Sequence, residues 1–271
     1  MIPKIFIEQW QKNAPWQTLD MVEQDLIINR ALVCLYGNQK IKDSLIFRGG
    51  TALNKIYLKP ATRYSEDLDF VQKKREMPGE VIEAIRAALD WLGKANYSQT
   101  EQSVKLVYRY NSINNLKMRL KIEINVAEHF QVMDINNATF GFESEWFSGE
   151  SIVAVNQLEE LMATKIRALY QRRKGRDLFD LWIVFGKNLA NIDETLNIFK
   201  KYCDHSKIKI SKDLFLQNLE LKRLNKDFQL DMNVLLPQGF PQTFLLTFSE
   251  PTNWNFDEAF EYVKSEIINR I

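Results

Sequence analysis

Residues 117–126 constrain the fold of this chain more than any other segment. Met118, Leu120, Ile122, Ile124 and Val126 alternate there with Lys117, Arg119, Lys121, Glu123 and Asn125. In an extended backbone successive side chains point to opposite faces, so this run predicts a strand with one buried and one polar face. Such a strand needs partner strands and a covering layer. Partners are legible at residues 44–48, where Ser-Leu-Ile-Phe-Arg runs into Gly49-Gly50-Thr51, and at 67–71, 104–110 and 151–155. Helical periodicity marks residues 20–39, 52–58 (stopped by Pro60) and 80–94.

From residue 157 onward the pattern changes. Helical periods fill about 157–173, 176–188, 191–203 and 212–225, strand-like residues return at 242–248, and a last helix is expected over 256–269. The reading is therefore an α/β (α+β) protein: a mixed sheet with flanking helices, then a mostly helical C-terminal part. We divide the chain into domains at 1–155 and 156–271. No Gly/Ser-rich linker separates them, so the second is expected to pack against the first.

Charge narrows the function classes. Lys plus Arg total 36 against 35 Asp plus Glu, which excludes a wholly basic nucleic-acid coat and leaves a local basic patch open. Cys34 and Cys203 have neither CxxC nor zinc spacing and lie in apolar-periodic segments, so they read as buried free thiols. That usage suits a reducing cytoplasm, and the N-terminus lacks the run of a signal peptide. No apolar stretch approaches the roughly 20 residues that span a bilayer, so no membrane partner is expected. His129 and His205 lack partners at metal spacing and read as surface or core residues. Trp146-Phe147 and Trp254 have two readings, stacking on bases or packing in the core.

The chemistry concentrates at Gly49-Gly50-Thr51 and at Arg63-Tyr64-Ser65-Glu66-Asp67-Leu68-Asp69. A strand that ends in Gly-Gly-Thr and opens a helix presents free backbone N–H groups to an anion, and it also serves as a plain tight turn with Thr51 as cap. Asp67 and Asp69, two apart on a strand, project side by side. Adjacent carboxylates repel, and a divalent cation removes the conflict. If the strand carrying Glu123 pairs beside them, three carboxylates converge, enough to hold metal and to help deprotonate an attacking hydroxyl. A cross-strand ion pair is the competing role for Glu123.

These motifs, with Lys165-Ile166-Arg167-Ala168-Leu169 and Arg176-Asp177-Leu178-Phe179-Asp180-Leu181-Trp182 downstream, resemble those of the AbiEii/AbiGii-type toxin nucleotidyltransferases of the DNA polymerase beta-like superfamily. The resemblance covers about residues 45–185. It implies NTP and Mg²⁺ or Mn²⁺ as cofactors, with Asp67, Asp69 and Glu123 as metal-binding and catalytic carboxylates. It also implies phosphate binding by Gly49, Gly50 and Ser65, beside which Thr51 can cap the helix or hydrogen-bond a phosphate, and a site completed by Lys165 and Asp180. The superfamily's third carboxylate is usually Asp, so Glu123 departs from the pattern by one methylene.

Residues 165–176 hold six basic side chains and no acidic one. On one continuous helix Lys165, Arg172 and Arg176 would share a face, continued by Asp180, and would suit a triphosphate. Ion pairing along a solvated helix, such as Arg173 with Asp177, is the alternative. The expected activity is transfer of a nucleoside monophosphate from an NTP to a hydroxyl with release of pyrophosphate. Resemblance points to the tRNA 3′ end as acceptor, to toxin–antitoxin or phage-defence biology and to an antitoxin partner. A protein or small-molecule acceptor and a non-catalytic nucleotide-binding module are the alternatives.

Overall fold

A computed structural model describes residues 2–238 and 254–271, so the strand expected at 242–248 lies outside the described residues. The chain separates into two compact units, Met1–Asn156 and Gln157–Ile271. In chain order the first carries helices α1 (Lys4–Trp10), α2 (Leu19–Gly37) and α3 (Gln39–Ser44), strand β1 (Leu45–Arg48), and the short helix α4 (Gly49–Ala52), which runs on as a π-helical turn over Leu53–Tyr57. Strand β2 (Asp67–Gln72), helix α5 (Gly79–Ala88) and strands β3 (Asn96–Gln99), β4 (Ser103–Asn111), β5 (Lys117–Asn125), β6 (Asn136–Glu143) and β7 (Ser148–Val155) follow.

All seven strands join one mixed sheet in the order β3-β4-β5-β2-β1-β7-β6. β2 runs parallel to β5 and antiparallel to β1, which runs parallel to β7. Alternation accounts for the layering: Leu120, Ile122 and Ile124 of β5 and Leu68 and Phe70 of β2 are buried, while Lys121, Glu123, Asp67 and Asp69 remain partly exposed. Phe47 and Phe70 are cross-strand partners with ring centroids 5.4 Å apart, and truncating either to Ala should cost about 3–5 kcal/mol.

Helix α2 packs against β7 and β5. Thr18 caps it, its side chain accepting from the Met21 N–H, and Asn38 both ends it and caps α3. Polar residues of α2 are buried along with its apolar ones, and each has a specific partner. Gln24 Nε2 donates to the carbonyls of Glu66 (3.2 Å) and Arg119 (3.0 Å), and Tyr110 donates its hydroxyl to Gln24 Oε1. The carboxylate of Asp25 accepts from the Trp10 and Trp16 indoles, from Asn29 and from Lys55.

The second unit contains α6 (Leu158–Gln171), α7 (Gly175–Gly186), α8 (Ile192–His205), α9 (Lys212–Arg223), α10 (Lys226–Leu230) and α11 (Phe256–Tyr262), the last extended by π and 3₁₀ turns to Arg270. Lys222 of α9 is buried and donates to the carbonyls of Leu169 and Tyr170, so a cation satisfies the C-terminal end of α6. No helix among the described residues is long and apolar enough to cross a membrane. Both cysteines are free, Cys203 buried and Cys34 half-buried.

Helix continuity across residues 165–180 is a correction. The backbone is extended at Arg172 (φ −129°, ψ 163°) and at Lys174 (φ −128°, ψ 115°), so α6 and α7 are separate helices. Packing fixes the restart. A side chain at Gly175 would meet the Phe228 carbonyl at 2.2 Å, and the Arg176 N–H donates to the Asp231 carboxylate (3.0 Å), which satisfies the positive end of α7. Lys165, Arg172, Arg176 and Asp180 therefore share no helical face.

Candidate active site

The carboxylates gather on the polar face of the sheet. Asp67 pairs with Lys121 and Asp69 with Glu123 across the parallel β2–β5 ladder, and Asp69 faces Arg48 across β1. Residues in register share a face, so three carboxylates and their cations occupy one patch. Lys121 Nζ lies 3.0 Å from Asp67 Oδ2 and 3.1 Å from Glu123 Oε2, and Lys105 Nζ lies 3.3 Å from Glu123 Oε1. Arg48 is drawn aside to Glu128 (3.1 Å).

The charges are unevenly satisfied. Burial, together with Asp67 and Glu123, pushes the Asp69 carboxyl above the usual range, against the pull of Lys121 and Arg48. Burial opposes charge on Glu123 as well, but Lys121 and Lys105 overcome it and hold that carboxyl below its ordinary value. Lys121 is partly buried, yet Asp67 and Glu123 raise its proton affinity. An ammonium thus sits between two carboxylates in the manner of a stand-in cation, and the cross-strand ion pair is the contact Glu123 makes here.

The glycine turn sits directly against this patch. Gly49 has φ +80°, and a Cβ there would lie 2.6 Å from Asp69 Oδ2, so both the backbone angle and the approach of the carboxylate call for glycine. Thr51 is buried and donates its hydroxyl to the Asp67 carbonyl, while its oxygen stands 2.6 Å from Ser65 Oγ. The Thr51 side chain makes no helix cap, because Arg48 occupies that position and caps nothing with its side chain. Thr51 instead pins the start of β2 to the turn, and Ser65 is brought to the same place.

Two supports of this region escape a reading of the sequence. Asn54 donates to the Gly50 carbonyl (3.0 Å) and accepts from the backbone N–H groups of Thr62 (2.9 Å) and Arg63 (3.3 Å), tying the loop before Ser65 to the glycine turn. Gln24 holds the carbonyl just before Asp67 and one on β5, fixing the two carboxylate strands to each other. Both act across long sequence separations, and an amide in a helix gives no local sign of it.

Lys165, Arg172, Arg176 and Asp180 lie in the second unit. Lys165 Nζ is 2.7 Å from Asp180 and 3.1 Å from Asp177, and all three side chains are almost fully buried. Arg172 forks onto Asp177 through Nε (2.6 Å) and Nη2 (2.8 Å), so Arg172 rather than Arg173 pairs with it. Burial disfavours the Asp177 charge, but Lys165 and Arg172 more than compensate and bring the carboxyl down to about 2.

Trp146 and Phe147 take the packing role. Trp146 meets Trp91 edge-on (5.9 Å) and Phe147 stacks on Phe142 (6.1 Å), with the Arg30 guanidinium over the Trp91 ring at 4.0 Å. Trp254 packs on Phe179 (5.2 Å) and Trp182 (5.5 Å).

The donor set suits a hard divalent cation. Mg²⁺ takes oxygen ligands and commonly binds through one or two carboxylates, completing its shell with water and substrate phosphate. Asp67 and Asp69, side by side and mutually repelling, meet that need. No three His, Cys, Asp or Glu side chains among the described residues form a ready-made cage, and Glu123 would have to leave its lysines to serve as a third ligand.

The sequence profile of a family described as nucleotidyl transferase AbiEii toxin, type IV TA system, matches residues 30–262. No curated protein matches the chain by sequence. Among solved structures, MenT4, a nucleotidyltransferase toxin from Mycobacterium tuberculosis H37Rv, is similar with a TM-score of 0.66 and 16% identity, over 100% of this chain and 91% of that one. A proposed nucleotidyltransferase from H. pylori is similar with a TM-score of 0.52 and 17% identity, over 92% of this chain and 95% of that one. At such identities the structural likeness concerns the fold.

Proposed function

Because the chain belongs to the AbiEii family of nucleotidyl transferase toxins, we propose that it moves a nucleoside monophosphate from an NTP to a hydroxyl at the 3′ end of tRNA, with Asp67 and Asp69 at the reacting centre. The observation that carries this reading is the register of β2 on β5, which sets Asp67, Asp69 and Glu123 on one face against the glycine turn.

In the reaction the acceptor oxygen forms a bond to the α-phosphorus, the bond from that phosphorus to the β-bridging oxygen breaks, and pyrophosphate departs. A Mg²⁺ or Mn²⁺ ion held by Asp67 and Asp69 would neutralise the charge that builds on the phosphates. Glu123, the third carboxylate on this face, would help to take the hydroxyl proton. Gly49 and Gly50 offer backbone N–H groups, and Ser65 a hydroxyl, to the phosphates. Glu123 positions Lys121 for the triphosphate and serves as third ligand when that lysine moves. The family's later motif gives Lys165 and Asp180 a part in the reaction, and within the second unit Lys165 is held by Asp177 and Asp180. Thr51 supports the site through the Asp67 carbonyl, and Arg172 holds Asp177 beside Lys165 in the second unit. Blocking tRNA would stop translation, consistent with a toxin restrained by an antitoxin and with a role in phage defence.

The test is incubation of purified protein with each α-labelled NTP, Mg²⁺ and total RNA, beside the Asp67→Ala protein. Label in a tRNA-sized band only with the unaltered chain is the expected result. Full labelling by Asp67→Ala would refute the mechanism, and label entering protein alone would replace tRNA by a protein acceptor.

A further inference from the structure

The polar face of the sheet continues beyond the carboxylates. Across the antiparallel β4–β5 ladder Lys105 pairs with Glu123, Val107 with Lys121, Arg109 with Arg119 and Asn111 with Lys117. In-register partners share a face, so Lys105 and Arg109 of β4 lie on the same surface as Lys117, Arg119 and Lys121 of β5. Glu123 is the one acid among them, and Lys105 and Lys121 neutralise it. Lys117, Arg119 and Arg109 are exposed, and among the described residues none of the three forms an ion pair.

Folding alone does not favour this arrangement. Arg109 and Arg119 stand directly opposite one another, a like-charge pairing that costs stability. From Glu123 to Lys117 the strand covers about 20 Å at roughly 3.3 Å per residue, so the cationic strip starts beside Asp67 and Asp69 and runs out along the hairpin. A polyanion lying on it would relieve the repulsion and present one end to the carboxylates. Arginine's planar fork matches phosphate oxygens better than any other side chain.

We propose that the exposed face of the β4–β5 hairpin, through Arg109, Lys117 and Arg119, binds the phosphate backbone of the nucleic acid whose end receives the nucleotide. The occupant is RNA rather than an acidic protein, because the strip is continuous with the residues assigned to the reaction. This inference rests on the reading that the acceptor is RNA.

Binding of end-labelled total tRNA, measured without divalent cation over a series of salt concentrations, tests it apart from transfer. The triple variant Arg109→Gln/Lys117→Gln/Arg119→Gln should melt no lower than the unaltered protein, because these side chains are exposed and the Arg109–Arg119 repulsion is removed. At low salt its affinity should fall at least about 30-fold, and its dependence of log affinity on log salt should be shallower by about 2–3. Unaltered affinity and slope would overturn the proposal, and a face kept for an acidic protein gives that result. Failure of the unaltered protein to bind tRNA at low salt would overturn it too. If the variant binds tRNA like the unaltered protein while label transfer to RNA proceeds, the surface assignment falls and the transferase reading stands. If the unaltered protein binds through this face but transfers nothing to RNA, the surface stands and the acceptor reading falls.

Discussion

Two groups of aspartates in this molecule meet opposite electrostatic fates. On the sheet, Asp69 shares its face with Asp67 and Glu123, and its carboxyl is pushed above the ordinary range. In the helical unit, Asp177 is more deeply enclosed, yet Lys165 and Arg172 bring it down to about 2. Depth of burial therefore does not decide the outcome. The second group carries its own cations and is electrically complete. The first has more negative charge than Lys121 and Lys105 answer, and that deficit is what equips it for a cation brought from outside.

The sharpest way to break the contrast is Lys165→Met. Removing the ammonium takes a shared cation from both Asp177 and Asp180 in a dry interior, which should cost about 3–5 kcal/mol in urea melts. A variant as stable as the unaltered chain would show that the second group is no more self-sufficient than the first. Next comes Asp69→Asn. Transfer should fall at least about 100-fold, the scale of one essential electrostatic group, with no loss of melting temperature because a repelling charge has gone. Activity retained at that position would remove Asp69 from the reacting centre.

Acid should distinguish the groups as well. Asp177 has a folded value near 2 and an ordinary one of 3.8, so its stabilisation is complete above about pH 4 and is lost as pH falls through about 2. The difference amounts to about 2 kcal/mol. Unfolding of the Asp177→Asn protein should accordingly lose most of this dependence on pH between about 4 and 2, and an unchanged slope would contradict the pairing. The smallest effect belongs to Gly49→Ala, where the positive φ and the nearby Asp69 oxygen together should cost about 1–2 kcal/mol and displace the carboxylate. Thermal melts and transfer rates should both decline; an unaffected rate would mean that the turn tolerates a shift of Asp69.

Strands with one apolar face were readable in the sequence. β5 announces itself by alternation, and β1, β2 and β4 by short apolar runs bounded by turns. β3 did not, because Asn96–Gln99 is exposed throughout and pairs only with β4. β6 has Phe140 and Phe142 at period two, but Asn136-Asn137 and Gly141 weaken the signal, and it too is an edge. The break between α6 and α7 depends on Phe228 and Asp231, more than fifty residues downstream, which no local pattern contains. In the candidate site the shared face of Asp67 and Asp69 follows from spacing alone. The seat of Lys121 between carboxylates follows from register, and register is a property of the folded sheet.

Gln24 has a practical corollary. The family profile begins at residue 30, but the amide that sets the stagger of β2 against β5 lies six positions earlier, next to the Asp25 that gathers Trp10, Trp16 and Lys55. Anyone trimming this chain to the profile's limits would delete half of α2 and with it the gauge by which the carboxylates are spaced. A shortened protein of that kind would keep every motif residue and lose the alignment that makes them a site, so expression work should begin upstream of Pro3.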